Sequence, residues 1–143
     1  MSDFIPNIIK VDLDADIQKQ FDSASPKGRS RISRQYILDN LRGVYNSSDG
    51  KVIIITGKTA RKFASIAYEP KMRITPYLVD ALQNAVFEYI SNSDKLRDDD
   101  FDKFAYYSIT FDIGGKLYKA LLNIGIDKNN KWTLYDINPM EEI

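Results

Sequence analysis

Residues 104–140, FAYYSITFDIGGKLYKALLNIGIDKNNKWTLYDINPM, read as three consecutive antiparallel strands. Gly114-Gly115 is a pair that accepts the positive φ angles of a primed hairpin turn, which sets Thr110 opposite Lys119 and Tyr106 opposite Asn123. Asn129-Asn130, taken as a second two-residue turn, sets Ile124 opposite Tyr135 and Asn123 opposite Asp136. Side chains alternate across a strand, so one face carries Tyr107, Ile109, Phe111, Tyr118, Leu122, Ile124, Tyr135 and Ile137. The other carries Tyr106, Ser108, Thr110, Lys119, Asn123 and Asp136. The apolar face is predicted to pack on helices; the polar face is either solvated or a site. The expected class is α+β, with helices packed on one face of an antiparallel sheet and a three-strand meander at the C-terminal end.

Upstream, residues 4–13 suit a short strand or extended arm, and a small helix is expected from Ala15 to Ser23 with Asp14 as its N-cap. Ser25-Pro26-Lys27-Gly28 is read as a break, after which Ile32, Tyr36, Ile37, Leu41 and Val44 recur at helical spacing until Gly43 stops the helix. Val52-Ile53-Ile54-Ile55 lacks polar alternation and is expected to be a strand buried on both faces or at the sheet centre. A helix is predicted over Thr59 to Ala67. A stronger one begins with Thr75 as N-cap and Pro76 at the first turn, carrying Leu78, Val79, Leu82, Ala85, Val86 and Tyr89 over residues 75–90. An acidic connector, 91–103, leads into the meander. With no repeat and no long linker, the chain is expected to be a single domain over 1–143, an arm and short helix over 1–30 preceding an α+β core over 31–140.

Composition acts by exclusion. The 143 residues include no cysteine and no histidine, so thiol nucleophiles, serine-histidine-aspartate triads and thiolate zinc sites are unavailable. Acid-base work would fall to Asp, Glu, Tyr or Lys, and neither a metal nor a cofactor is expected. Twenty basic and twenty acidic residues cancel, which argues against strong nonspecific nucleic-acid binding and leaves room for a local basic patch. No basic-then-apolar leader and no apolar run of bilayer length is read, so no membrane partner is expected and the expected location is the cytoplasm.

Several strings imitate chemical motifs. Asp12, Asp14 and Asp16 open like a calcium loop, but Ile17 stands where the turn needs Gly and Ser23 where a bidentate Glu is needed. Gly57-Lys58-Thr59 follows an apolar strand like the tail of a P-loop, yet Val52 replaces the glycine that the phosphate cradle needs. Lys58, Arg61 and Lys62 at the start of a helix suit an anion or a solvated helix end. Arg31, Arg34 and Arg42 fall near one side of the earlier helix, interrupted by Leu38, and read as surface. Asp98-Asp99-Asp100 reads as a wet acidic tract rather than a metal site.

The order KVIIITGKTARKF, ITPYLVDALQNAVF, an acidic connector, AYYSITFDIGGKLYKALLNIGI and KWTLYDINP, over roughly residues 34 to 139, resembles the phage-associated domains of the barnase, EndoU, colicin and RelE nuclease-like superfamily. Such domains occur in large polyvalent proteins of mobile elements. The resemblance implies helices on one sheet face and RNA on the other. Related domains often carry an aspartate-histidine pair in the last strand; the matching string here is Tyr135-Asp136-Ile137, without the histidine. The RelE-type and some colicin-type branches cut RNA with Lys, Arg and Tyr.

On that pattern the expected catalytic residues are Lys119, Asp136 and Tyr106, and the expected substrate-binding residues are Lys58, Arg61, Lys62, Thr110 and Asn123. Lys119 would neutralise the phosphorane or, with its pKa lowered from about 10.4 toward roughly 7 to 8, act as base. Asp136 would orient it or share acid-base work, and Tyr106 would stack on a base or donate a proton. The plain alternative for Lys119 and Asp136 is a cross-strand charge pair. Two functional readings follow: a metal-independent, toxin-type ribonuclease of a phage or mobile element, or a non-catalytic relative binding RNA or a protein, such as a phage counter-defence protein. Whether the chain is an enzyme stays open at this point.

Overall fold

The computed structural model describes residues 7–92 and 100–143. In chain order the elements are β1 (Ile8–Lys10), α1 (Asp16–Asp22) and α2 (Pro26–Tyr36), the last continued by a π-helical turn (Ile37–Leu41). Next come β2 (Gly43–Asn46), β3 (Val52–Ile55), α3 (Gly57–Phe63), α4 (Glu69–Arg73) and a 3-10 turn (Thr75–Tyr77). They are followed by α5 (Leu78–Asn84), β4 (Val86–Asn92), β5 (Lys103–Ile113), β6 (Lys116–Ile126) and β7 (Trp132–Glu142). The strands form one seven-stranded sheet in the order β1-β5-β6-β7-β3-β2, with β4 also on β5. The class is α+β, but the sheet is mixed rather than antiparallel, since β1 runs parallel to β5 and β3 parallel to β7.

The first meander turn is as the glycines require. Gly114 and Gly115 have φ of 61° and 88°, and Thr110 pairs with Lys119 and Tyr106 with Asn123. The second turn is not two residues long. Asp127 and Lys131 close a three-residue loop in which Asn130 has φ 61° and its N–H donates to Asp127 O at 2.9 Å, while the Asp127 carboxylate accepts from the amides of Asn129 and Lys131. This moves the pairing by one residue, so Ile124 faces Leu134 rather than Tyr135. A bulge then adds Tyr135 as an extra residue and restores Asn123 opposite Asp136. Tyr135 thereby leaves the helix side of the sheet and packs with Phe101 and Phe104 on the other.

Other expectations shift for local reasons. Ser25 and Pro26 do not break the chain; they start α2, the Ser25 hydroxyl accepting from Gly28 N–H at 3.1 Å with Pro26 in the first turn. Ala15 rather than Asp14 sits at the α1 N-cap, and Val44 lies in β2 instead of a helix. β3 is interior to the sheet yet alternates: Ile53 and Ile55 are buried and Val52 is exposed. The helix expected over 75–90 stops at Asn84, and Val86 onward forms β4, paired with β5 from Ser108 to Lys103. Residues 4–6 of the arm, most of the acidic connector, and Asp98 and Asp99 of its tract lie outside the described residues.

The main core fills the helix-covered face, where Phe21, Ile37, Phe63, Met72, Leu78 and Leu82 meet Ile53, Tyr107, Phe111, Leu122, Ile124 and Ile137. The sheet curls around this core. Tyr107 of β5 donates its hydroxyl to the Asp49 carboxylate in the β2–β3 turn at 2.9 and 3.0 Å, although β6 and β7 lie between those strands in the sheet. Ser48 of the same turn donates to Ala85 O at 2.6 Å, just before β4.

Candidate functional site

α3 starts where β3 ends because Thr56 caps it: its hydroxyl accepts from Lys58 N–H at 3.2 Å, and its own N–H donates to the Thr59 hydroxyl at 3.0 Å. The Thr59 hydroxyl in turn donates to Leu134 O, which fastens α3 to β7. With the Lys58 amide so engaged, the cations of α3 act through their side chains. Lys58 pairs with Asp100 and lies 5.3 Å from the Phe101 ring centroid, and Lys62 lies 5.3 Å from that of Tyr135. Lys58, Arg61, Lys62 and Tyr135 line a recess of about 300 Å³.

Lys62 also lines an adjoining groove of about 360 Å³, shared with Ile66, Tyr89, Tyr106, Asn123, Tyr135, Asp136 and Asn138. Its strand residues Tyr106 and Asn123, a cross-strand pair, alternate with the core pair Tyr107 and Leu122 and so belong to the other face of the sheet. Three facts shape its floor. Asp136 is 9% exposed, and its Oδ1 accepts from Lys71 Nζ at 2.7 Å and from Ile137 N–H at 2.8 Å. Lys71, 5% exposed, also sits over the Phe63 ring at 5.0 Å, so α4 delivers a buried ammonium to the carboxylate. Asn123 donates its amide to Leu121 O and Asn138 O, both at 2.9 Å. At the rim Tyr106 stacks on Tyr89 of β4, ring centroids 4.7 Å apart and planes at 28°. Phe101 reaches β6 where Gly125 leaves room: a Cβ there would fall 2.6 Å from the Phe101 ring.

Of the residues singled out in the sequence, Lys58, Arg61, Lys62, Tyr106, Asn123 and Asp136 are thus gathered along one connected recess and groove. Lys119 and Thr110 are not. They pair with each other next to β1, Lys119 also facing Glu141, and Lys119 lies four residues along β6 from Asn123, roughly 13 Å at strand rise. Lys71, not Lys119, is the partner of Asp136. Trp132 lies in the helix-side core with Lys51 over its ring, away from the groove. Lys71 and Tyr89 are not legible as site residues in the sequence, since Lys71 carries no motif and Tyr89 matches a helix period as well as a strand. No group of acidic, His or Cys side chains able to hold a metal gathers among the described residues. No helix among them is long and apolar enough to cross a membrane.

The family model for large polyvalent protein-associated domain 3 matches residues 24–135. The chain belongs to that family. No curated protein and no solved structure matches it. The polyvalent-protein domain 3 match takes in α2, α3 and α4 with Lys71, the stacked Tyr89 and Tyr106, Asn123 and the bulge residue Tyr135. It ends one residue before Asp136, and β1 and α1 precede it.

Proposed function

We propose that this domain binds unpaired RNA along the groove between α3 and the sheet. The observation that supports the reading is the continuity of charge with aromatic surface: Lys62 lines both the cationic recess and the groove whose rim is the Tyr89–Tyr106 stack. Single strands are held where cations track the backbone and rings offer π faces to bases. Tyr89 is 50% exposed and presents such a face. The resemblance of the chain to nuclease-like domains supports RNA as the strand.

The test is RNA affinity at several salt concentrations. Lys62→Ala should weaken binding and lower the salt slope by roughly 0.7, one phosphate contact on a single strand. Tyr89→Ala should cost about 1 to 3 kcal/mol of binding with the slope unchanged. Lys119→Ala, remote from the groove, should bind as the parent does. If Lys62→Ala and Tyr89→Ala also bind as the parent does, the groove is not an RNA site and a protein partner becomes the leading reading.

The buried Lys71–Asp136 pair favours a second reading, a metal-independent ribonuclease of the toxin type. There the Asp136 carboxylate would take the proton of a 2′-hydroxyl as its oxygen bonds to phosphorus. The phosphorus–5′-oxygen bond breaks, and the departing oxygen takes a proton from the Tyr106 phenol. Cleavage in the presence of EDTA that is lost in Asp136→Asn supports this chemistry. Binding without cleavage leaves the non-catalytic module.

A further inference from the structure

α2 carries Lys27, Arg29, Arg31 and Arg34 and no acidic residue, in a chain whose charges sum to a net of zero. At about 100° per residue, Lys27, Arg31 and Arg34 fall within roughly 60° of one another on the helix surface. All three are exposed, while Ser33, about 100° or more around the helix from each of them, is buried. None of the three forms an ion pair or side-chain hydrogen bond among the described residues. Arg42 is set apart, its Nε donating to Leu38 O at 2.8 Å. Lys27 belongs to the stripe because Ser25 caps the helix ahead of it.

Two features make this stripe more than a solvated helix face. The first turn of α2 holds a lysine and no acidic residue, although the helix dipole favours a carboxylate there, so the charge pattern is not one that helix stability selects. The stripe also leads to the α3 cations. Leu38 continues it seven residues beyond Arg31, and Gly57 at the start of α3 lies against it, a methyl at Gly57 falling 3.9 Å from Leu38 Cδ2. On the α1 side Arg31 shares a cavity with Asp16 of α1 and Asp39 of the π-helical turn, whereas α3 carries no acidic residue. Guanidinium forks match phosphate oxygens two at a time. The stripe has no exposed apolar partner of the kind that seats a helix in a membrane interface.

We propose that Lys27, Arg31 and Arg34 form a second phosphate-binding stripe, which takes the RNA backbone as it leaves the α3 groove. This rests on the RNA reading of the groove. From Lys27 to Leu38 the stripe runs about 16 Å at helical rise, so a strand must be longer than the groove to reach it.

The experiment compares unpaired RNAs of about five and about fifteen nucleotides, lengths near the two ends of single-strand site sizes. Each is titrated against the parent, the triple variant Lys27→Gln/Arg31→Gln/Arg34→Gln and the double variant Arg61→Gln/Lys62→Gln, with circular dichroism and melting temperature measured beside them. The triple variant should keep parental affinity for the short RNA. For the long one it should lose affinity about tenfold at moderate salt and lower the salt slope by about 2, three contacts at roughly 0.7 each. The double variant should lose affinity for both lengths. Unchanged long-RNA binding by the triple variant, with the double variant impaired, overturns the stripe and leaves the groove standing. Equal losses of the two lengths in the triple variant overturn it as an extension of the groove. If the double variant binds both lengths normally and the triple variant alone fails on the long one, the groove reading falls and the stripe remains as a phosphate site. Stripe-dependent binding to phosphatidylserine vesicles, without any effect on RNA, overturns the inference in favour of a lipid surface.

Discussion

Asp136 shows what a buried charge requires of its neighbours. Its carboxylate is nearly out of water, and the Lys71 ammonium and the Ile137 amide are what make that tolerable. Lys71→Met removes the countercharge and leaves the carboxylate stranded. The expected loss is about 3 to 5 kcal/mol in urea unfolding. Adding Asp136→Leu to Lys71→Met should recover most of that loss, because two apolar side chains in place of a buried pair restore packing without a stranded charge. A Lys71→Met variant as stable as the parent would show that the pair is not closed in solution. Both residues stand in the sequence, but no spacing rule connects positions 65 apart, and strand alternation gives Asp136 only a sheet face shared with Lys119, opposite Asn123.

Elements obey local rules until a free edge or an extra residue intervenes. Val86, Phe87, Tyr89 and Ile90 satisfy a helical period, yet they are β-branched and aromatic, and the open edge of β5 offers hydrogen bonds that a solvated helix end does not. The chain therefore changes from α5 to β4 at Ala85. In the meander, the three-residue loop and the bulge at Tyr135 shift the register in opposite directions. Asn123 still faces Asp136, while Tyr135 changes face. Gly125 makes that second face packable. Gly125→Ala would drive a Cβ into the Phe101 ring and push that ring off the edge of Tyr135; the expected cost is about 1 to 3 kcal/mol, measured by chemical denaturation. Phe101→Leu in the same background should return part of the loss. An unchanged midpoint in Gly125→Ala would mean that Phe101 does not rest on β6.

At the scale of the molecule, the curl of the sheet is closed by a hydrogen bond between distant parts of the chain, Tyr107 to Asp49. Burial first, and then the Asp49 carboxylate, push the Tyr107 phenol well above the ordinary tyrosine range. The folded value lies above the unfolded one, near 10, so the protonated phenol contributes its full stability below about pH 10. That contribution is lost as the pH rises through the folded value. Tyr107→Phe should be less stable at neutral pH and show a flatter alkaline limb, read from unfolding midpoints across the alkaline range; parallel limbs would mean that Tyr107 ionises as freely in the fold as out of it. By itself the sequence determined the α+β class, the strand alternation, the Gly114-Gly115 turn with its register, and the cations of α3. Each of these is written in residues close together along the chain, through a period of two, a φ preference or a cap. Tertiary structure alone decided that β4 is a strand, that Tyr135 changes face and that Lys71 meets Asp136. Those outcomes depend on which backbone edge remains unpaired and which charge must be compensated once the sheet has closed around its core, and neither quantity exists until distant segments have met.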